Sequence, residues 1–180
     1  MELPMNKLAS FALGLALLFS SQAFADNAYD FEFMGEDGKP YALSQHRGKI
    51  LVVMNTATKC GFATQYKGMQ KLLDKYGEEK LAVIGVSSNS FKNMEPRSNS
   101  AIRKYCTDRF GVEYPIMDKV NIGGSAQHPF YEWTASEGYK VDWNFNKIII
   151  GKDGKIIERL GRKVKAKGSR SVETSIKQLL

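Results

Sequence analysis

A chain of 180 residues, 43% of them apolar and 25% charged, has the length for one domain with a real core and needs no disulfide staples. The balance is that of a soluble globular protein, and a net charge of +7 does not by itself choose a partner. With no Walker loop, and no GxGxxG after an apolar strand, nucleotide binding has no support.

In chain order, Met1 to Lys7 carries a lysine, Leu8 to Phe19 is an uncharged apolar run, and S-S-Q-A-F-A follows. The run is short for a membrane span, and Ala23-Phe24-Ala25 has the small-x-small form of a cleavage site. Residues 1–25 are therefore expected to be a cleavable signal peptide, with Met5 an alternative start and a mature chain of 26–180 in the periplasm. Removing the leader leaves the charge at +7, because Lys7 and Glu2 cancel. In an oxidising compartment two cysteines either pair or are kept reduced for a purpose, and their number alone does not choose.

Tyr29 to Phe33 alternates, G-E-D-G-K turns, and Tyr41-Ala42-Leu43 follows, which predicts an N-terminal hairpin. Ile50 to Met54 reads as a strand buried on both faces, and Leu81 to Val86 as a second. Between them Tyr66, Met69, Leu72, Leu73 and Tyr76 recur at helical spacing and stop at Gly77. Ser98 or Asn99 opens the next helix, with Ile102, Tyr105, Cys106 and Phe110 on its apolar face and Gly111 at its end. Tyr114 to Met117 predicts a short strand and His128 to Ala135 a short helix. Lys147–Ile150 and Lys155–Arg159 form a second hairpin, and a last helix begins near Ser171. The order implies one α/β domain, a mixed central sheet with helices on its faces.

Cys60 falls where the first buried strand hands over to a helix. Orphan amides and the positive end of a helix dipole there favour thiolate over thiol, and Lys59 adds to this. A thiolate attacks peroxide oxygen to give sulfenic acid. Ala63 stands where a C-x-x-C pair would have its second cysteine, so disulfide exchange of that kind is not the design. Read from spacing alone, a small buried core residue fits Cys60 as well.

The stretch V-V-M-N-T-A-T-K-C-G-F-A-T-Q-Y (52–66) resembles the active-site signature of the glutathione peroxidase family. I-G-V-S-S-N-S-F-K-N-M-E-P (84–96), A-Q-H-P-F-Y (126–131) and V-D-W-N-F-N-K (141–147) resemble further motifs of that family, in the same order. The resemblance covers the chain from about Tyr29 to its end and implies a thioredoxin-like fold. It implies that Cys60 is the peroxidatic cysteine and that Trp143 and Asn144 are the family's active-site tryptophan and asparagine. Indole and amide N–H groups are donors suited to sulfur and to a departing oxygen. Ser90 stands where the family usually has glutamine, offering a shorter side chain with one donor. The usual glycines around Lys92 and Asn93 are replaced as well.

Cys106 aligns with the resolving cysteine of the non-selenium, thioredoxin-dependent branch. The resemblance thus implies a sulfenate on Cys60 condensing with Cys106 to a disulfide, reduced in turn by a dithiol donor. Because Cys106 falls on the apolar face of its helix, bridging implies partial unwinding. The short segment between His128 and Trp143 resembles the monomeric members that accept lipid hydroperoxides as well as hydrogen peroxide. The expected reductant is a thioredoxin-like protein, with glutathione the alternative. R-K-V-K-A-K-G-S-R (162–170) has five bases and no acid, suited to an anionic membrane surface or an acidic reductant, and equally to a solvated lead-in to the last helix. Export and the lack of interleaved aromatics speak against nucleic acid. His46 and His128 lack ligand-like company, so no metal or cofactor is expected, and His128 before Pro129 fits a helix start. Two other readings stay open: a peroxide sensor that oxidises a partner protein, and a non-catalytic protein with a permanent Cys60–Cys106 bridge.

Overall fold

The structure, a computed structural model, describes residues 27–168 and 171–180. The expected leader at 1–25 and the end of the basic stretch, 169–170, lie outside the described residues. Seven strands and four helices are present among those described: β1 (Glu32–Met34), β2 (Pro40–Ala42), β3 (Ile50–Thr56), α1 (Gln65–Tyr76), β4 (Leu81–Ser87), α2 (Asn99–Phe110), β5 (Ile116–Met117), α3 (Pro129–Ser136), β6 (Lys147–Ile150), β7 (Ile156–Leu160) and α4 (Val172–Leu179).

β1 and β2 pair antiparallel as the expected N-terminal hairpin. The other five strands form one sheet in the order β5-β4-β3-β6-β7. β3 is parallel to β4 and antiparallel to β6, so the sheet is mixed. Every residue of β3 and β4 is buried, which is why both read as continuous apolar runs. Side chains alternate between the two faces. Ile50, Val52 and Met54 join the cluster beneath α1, α2 and α4, whereas Leu51 and Val53 join the one beneath α3 and the hairpin. Gly85 in β4 leaves room for Ile116 of β5: a Cβ there would meet Ile116 Cδ1 at 2.4 Å, so that side chain would have to shift.

The helix boundaries follow their caps. Ser98 accepts from the Ala101 amide at the start of α2, and Gly111 ends that helix at φ 64°, a left-handed conformation natural to glycine. His128 is the N-cap of α3; its Nδ1 accepts from the Phe130 amide and its ring stacks on Phe33, centroids 4.4 Å apart. The alternation at Tyr29–Phe33 is not a strand from its first residue. Asn27 and Asp30 form a capping box, curling Ala28–Asp30 into a 3-10 turn and moving the strand to Glu32–Met34.

Candidate active site

Three loops meet at one end of the sheet: the one leaving β3, the one leaving β4, and the one entering β6. The carboxyl ends of adjacent parallel strands are where α/β folds open a crevice, and here the antiparallel β6 brings its entry segment to the same end. Asn55, at the end of β3, ties two of the loops together. Its amide N–H donates to the Asn146 carbonyl (3.3 Å), its Nδ2 to the Trp143 carbonyl (3.0 Å), and its Oδ1 accepts from the Asn146 amide (3.0 Å). Asn146 Nδ2 reinforces this by donating to the Trp143 carbonyl at 2.7 Å. Between them Phe145 takes a left-handed φ of 63°, a conformation expensive for a bulky residue, and is fully buried with its ring edge-on to Tyr66.

Cys60 follows β3 in a run of turns, its amide donating to Ala57 O and its carbonyl accepting from the Ala63 amide. It is a free thiol, 5% exposed, in the same apolar cluster as Phe145. The expectation of a cysteine just ahead of the first helical turn needs correcting, because α1 starts at Gln65. Thr64 carries helical dihedrals without a side-chain cap bond, and turns fill the interval. The dipole of α1 therefore acts on Cys60 from beyond its own first turn, where such effects fade. Closer donors exist: the amides of Gly61 and Phe62 make no backbone hydrogen bond among the described residues.

The loop after β4 clamps the Cys60 turn. Glu95 is fully buried; one carboxylate oxygen accepts from the Thr58 amide (2.6 Å), the other from the Thr58 hydroxyl (2.7 Å). Arg97 Nη1 donates to that hydroxyl oxygen at 2.6 Å. One residue earlier, Met94 O accepts from the Lys59 amide (3.0 Å), and Met94 Sδ accepts from Asn144 Nδ2 (3.6 Å). Asn144 is fully buried and its Oδ1 has no partner among the described residues. A chain of contacts thus runs from the Cys60 turn through Met94 to Asn144. The Trp143 indole is half-buried against Phe91, with Lys92 Nζ and Arg162 Cζ 5.8 and 5.4 Å from its ring. The loop reaches this shape at a cost, for Lys92 and Asn93 both have left-handed backbones (φ 51° and 50°).

Ser90 lies exposed in the loop after β4. Its Oγ accepts from the Ile122 amide (3.0 Å) and from the Ser88 hydroxyl (3.0 Å), pinning the loop after β4 to the segment before α3. Cys106 lies inside α2, fully buried and free, in the same cluster as Cys60. Burial pushes its thiol pKa up to about 11, outweighing the opposing pull of the Tyr66 hydroxyl. His46 takes no part: its Nε2 meets the Tyr41 hydroxyl at 3.0 Å, and burial lowers its pKa to about 4. Among the described residues no group of three or more His, Cys, Asp or Glu could hold a metal.

Lys147, the first residue of β6, has no exposed surface and donates to Gln65 Oε1 and to the Val164 carbonyl. Gln65 Nε2 donates to the Arg162 carbonyl at 2.6 Å. Together they hold the start of the basic stretch against the head of α1. Sequence reading passed over Glu95, Met94 and Lys147. The one available signal was that Glu95 and Lys147 are charged residues inside the motifs at 84–96 and 141–147, which they share with Lys92 and Asp142.

A mixed sheet flanked by helices, with a free thiol in the turns that follow its central parallel strand, defines a protein of thioredoxin-like fold, and solved structures agree. A T. cruzi GPX1 crystal structure superposes with a TM-score of 0.68 at 28% identity, covering 85% of this chain and 95% of that one. A thioredoxin-like superfamily protein at 18% identity gives a TM-score of 0.61, a likeness of fold alone.

The family follows from the sequence relatives. A protein-family model described as glutathione peroxidase matches residues 28–135. A glutathione peroxidase of Lactococcus lactis is 33% identical over 159 residues, covering 86% of this chain and 99% of its own. The glutathione peroxidase-like peroxiredoxin gpx1 of Schizosaccharomyces pombe is 36% identical over 136 residues, 73% of this chain and 86% of its own. A hydroperoxy fatty acid reductase of Synechocystis is 35% identical over 144 residues, 74% and 85% of the two chains. The chain belongs to the glutathione peroxidase family and is a peroxidase acting on peroxides.

Proposed function

We propose that Cys60 is the peroxidatic thiol and Cys106 the thiol that resolves it. The Cys60 thiolate attacks the terminal oxygen of a hydroperoxide. The O–O bond breaks, the hydroperoxide's own proton leaves with the alcohol or water, and sulfur keeps one oxygen as a sulfenate, which takes a proton from solvent to become sulfenic acid. We assign the Trp143 indole, the Asn144 amide and the backbone amides of Gly61 and Phe62 as the donors that stabilise the charge developing on the departing oxygen. The sulfenate then condenses with Cys106, releasing water and leaving a disulfide that an external dithiol reduces by exchange. The observation that carries this reading is the pair of unbridged thiols in one apolar cluster, with the loops of Asn144 and Cys60 tied through Met94.

Resolution needs α2 to open, because Cys106 is sealed and poorly ionised where it stands. Unwinding the end of α2 parts the Phe110 ring from Tyr66, on which it stacks at 5.4 Å. It also releases the thiol toward its ordinary acidity. Hydrogen peroxide and lipid hydroperoxides are the proposed substrates, and a thioredoxin-like protein the proposed reductant before glutathione, since Cys106 supplies the second thiol. The leader pattern supports export to the periplasm, the short segment between His128 and Trp143 supports action as a monomer, and the 162–170 stretch lends weak attraction to anionic membrane surfaces. Ser90 serves the loop rather than the sulfur, so it is replaceable as a donor.

The test is steady-state peroxide reduction by the mature protein with thioredoxin or glutathione. Cys60→Ser abolishes turnover with either reductant, and Cys106→Ser abolishes the thioredoxin-supported route alone. Full activity of the Cys60→Ser protein refutes the assignment, and full thioredoxin-supported activity of Cys106→Ser refutes the resolving role.

A further inference from the structure

The side chain that receives the Asn144 hydrogen bond is itself oxidisable. Met94 Sδ accepts from Asn144 Nδ2 at 3.6 Å, and Met94 O accepts from the amide of Lys59, the neighbour of Cys60. Met94 is half-buried against the cluster that contains Cys60, and its backbone is bonded to the residue beside Cys60, so a hydroperoxide admitted to the Cys60 turn meets the segment that carries the thioether. Among the described residues most other methionines are shielded. Met54 and Met69 have no exposed surface and Met117 has 2%, while Met34, 43% exposed on the N-terminal hairpin, lies on a different element.

We propose that Met94 is a second oxidation site of this protein, converted by hydroperoxide to methionine sulfoxide, and that the sulfoxide slows the Cys60 reaction by capturing the Asn144 amide. This rests on the reading of Cys60 and Asn144 given above. In the step the thioether sulfur attacks the peroxide oxygen, an S–O bond forms and the O–O bond breaks. One oxygen atom passes to sulfur, the hydroperoxide leaves as alcohol or water, and sulfur is oxidised by two electrons with no net proton change. A methionine sulfoxide reductase, drawing two electrons from a thiol donor, reverses it. The consequence lies in hydrogen-bond strength. A thioether is a weak acceptor, whereas the polarised sulfoxide oxygen is a strong one. Nothing opposes the capture from the other end of the amide, because Asn144 Oδ1 is buried without a partner among the described residues. Excess hydroperoxide thus restrains its own consumption until the sulfoxide is repaired.

The experiment has two arms. In the first, Cys60→Ser protein, whose remaining thiol, Cys106, is fully buried, is titrated with tert-butyl hydroperoxide and digested for tandem mass spectrometry. Met94 is expected to gain one oxygen atom at no higher dose than exposed Met34, with Met54, Met69 and Met117 unchanged. Oxidation of Met34 while Met94 stays intact overturns the proposal. In the second arm, wild-type protein is pretreated with the hydroperoxide, fully reduced with dithiothreitol, and assayed. Dithiothreitol restores sulfenate and disulfide but leaves sulfoxide. The expected loss in kcat/KM is about ten-fold, less than the on the order of hundred-fold that outright deletion of an activating donor costs. That loss is recovered with methionine sulfoxide reductases and is absent from Met94→Leu. A loss that the reductases do not repair, or that Met94→Leu shares, overturns the regulatory role. An untreated wild type without peroxidase activity sinks the Cys60 reading instead, and the first arm is unaffected by it.

Discussion

Replacing Lys147 with methionine is expected to remove a rise of stability with pH. The Lys147 ammonium has no exposed surface, and both groups it donates to, Gln65 Oε1 and the Val164 carbonyl, are neutral. With no carboxylate to offset desolvation, burial lowers its pKa from 10.5 to about 7. Between those two values the unfolded chain holds a proton that the folded chain has released, so folding is favoured as pH rises. The penalty is complete below pH 7, where both states are charged, and gone only above the ordinary lysine value. One proton of difference is worth about 1.4 kcal/mol per pH unit, so wild type gains roughly 2 kcal/mol between pH 7.5 and 9. Cys106, whose thiol is raised from 9.0 to about 11, works in the opposite direction as pH approaches and passes 9, which sets the upper end of the window. Urea unfolding under reducing conditions across that range reads the effect as the difference between wild type and Lys147→Met, in which the other groups cancel. Parallel pH profiles for the two proteins would show that the lysine keeps its ordinary acidity and would refute the reasoning.

Glu95→Gln puts an amide donor beside either the Thr58 N–H or a hydroxyl already receiving Arg97, and leaves one buried group unpaired. A loss of about 1–3 kcal/mol in chemical unfolding is expected, with reduced peroxide turnover as the Cys60 turn slackens. Lys92→Gly relieves a left-handed backbone and is expected to stabilise by roughly 0.5–1 kcal/mol, whereas Asn93→Gly gains less because asparagine tolerates that region; thermal unfolding of the two variants checks the order. In native protein at pH 8, Cys106 is expected to resist alkylation until α2 opens, since it is fully buried and its thiol is pushed up to about 11. Mass-resolved labelling tests this, and labelling as fast as in denatured protein would contradict it.

Much of the frame was legible in the sequence for physical reasons. The apolar runs of β3 and β4 can only be strands buried on both faces, and Ser98 and Gly111 mark the ends of α2 through their backbone chemistry. Cys60, Trp143, Asn144 and Cys106 could be picked out through family resemblance; spacing alone left Cys60 balanced between reactive thiol and core residue. The polar clamps were not legible. Thr58 and Glu95 are separated by 37 positions, and Gln65 and Lys147 by 82, so only the sheet topology brings them together. The left-handed backbones of Lys92 and Phe145 had no local signal, since neither is a residue that seeks that conformation; at Asn93 the residue type tolerates it without requiring it. At Ser90 the identity was visible but its direction was not. The hydroxyl is occupied by Ile122 and Ser88, which no pattern of neighbours announces.

The sealing of one thiol within α2 has a consequence for recognition. If Cys106 resolves Cys60 as proposed, the second sulfur surfaces only after the first has reacted, and the protein looks different to its partners before and after each turnover. An electron donor that docks on the opened helix would meet only molecules in need of electrons and would pass over those still intact. Selectivity between the two redox states would then come from shape, and no charge or motif dedicated to the donor would have to be built into the folded surface.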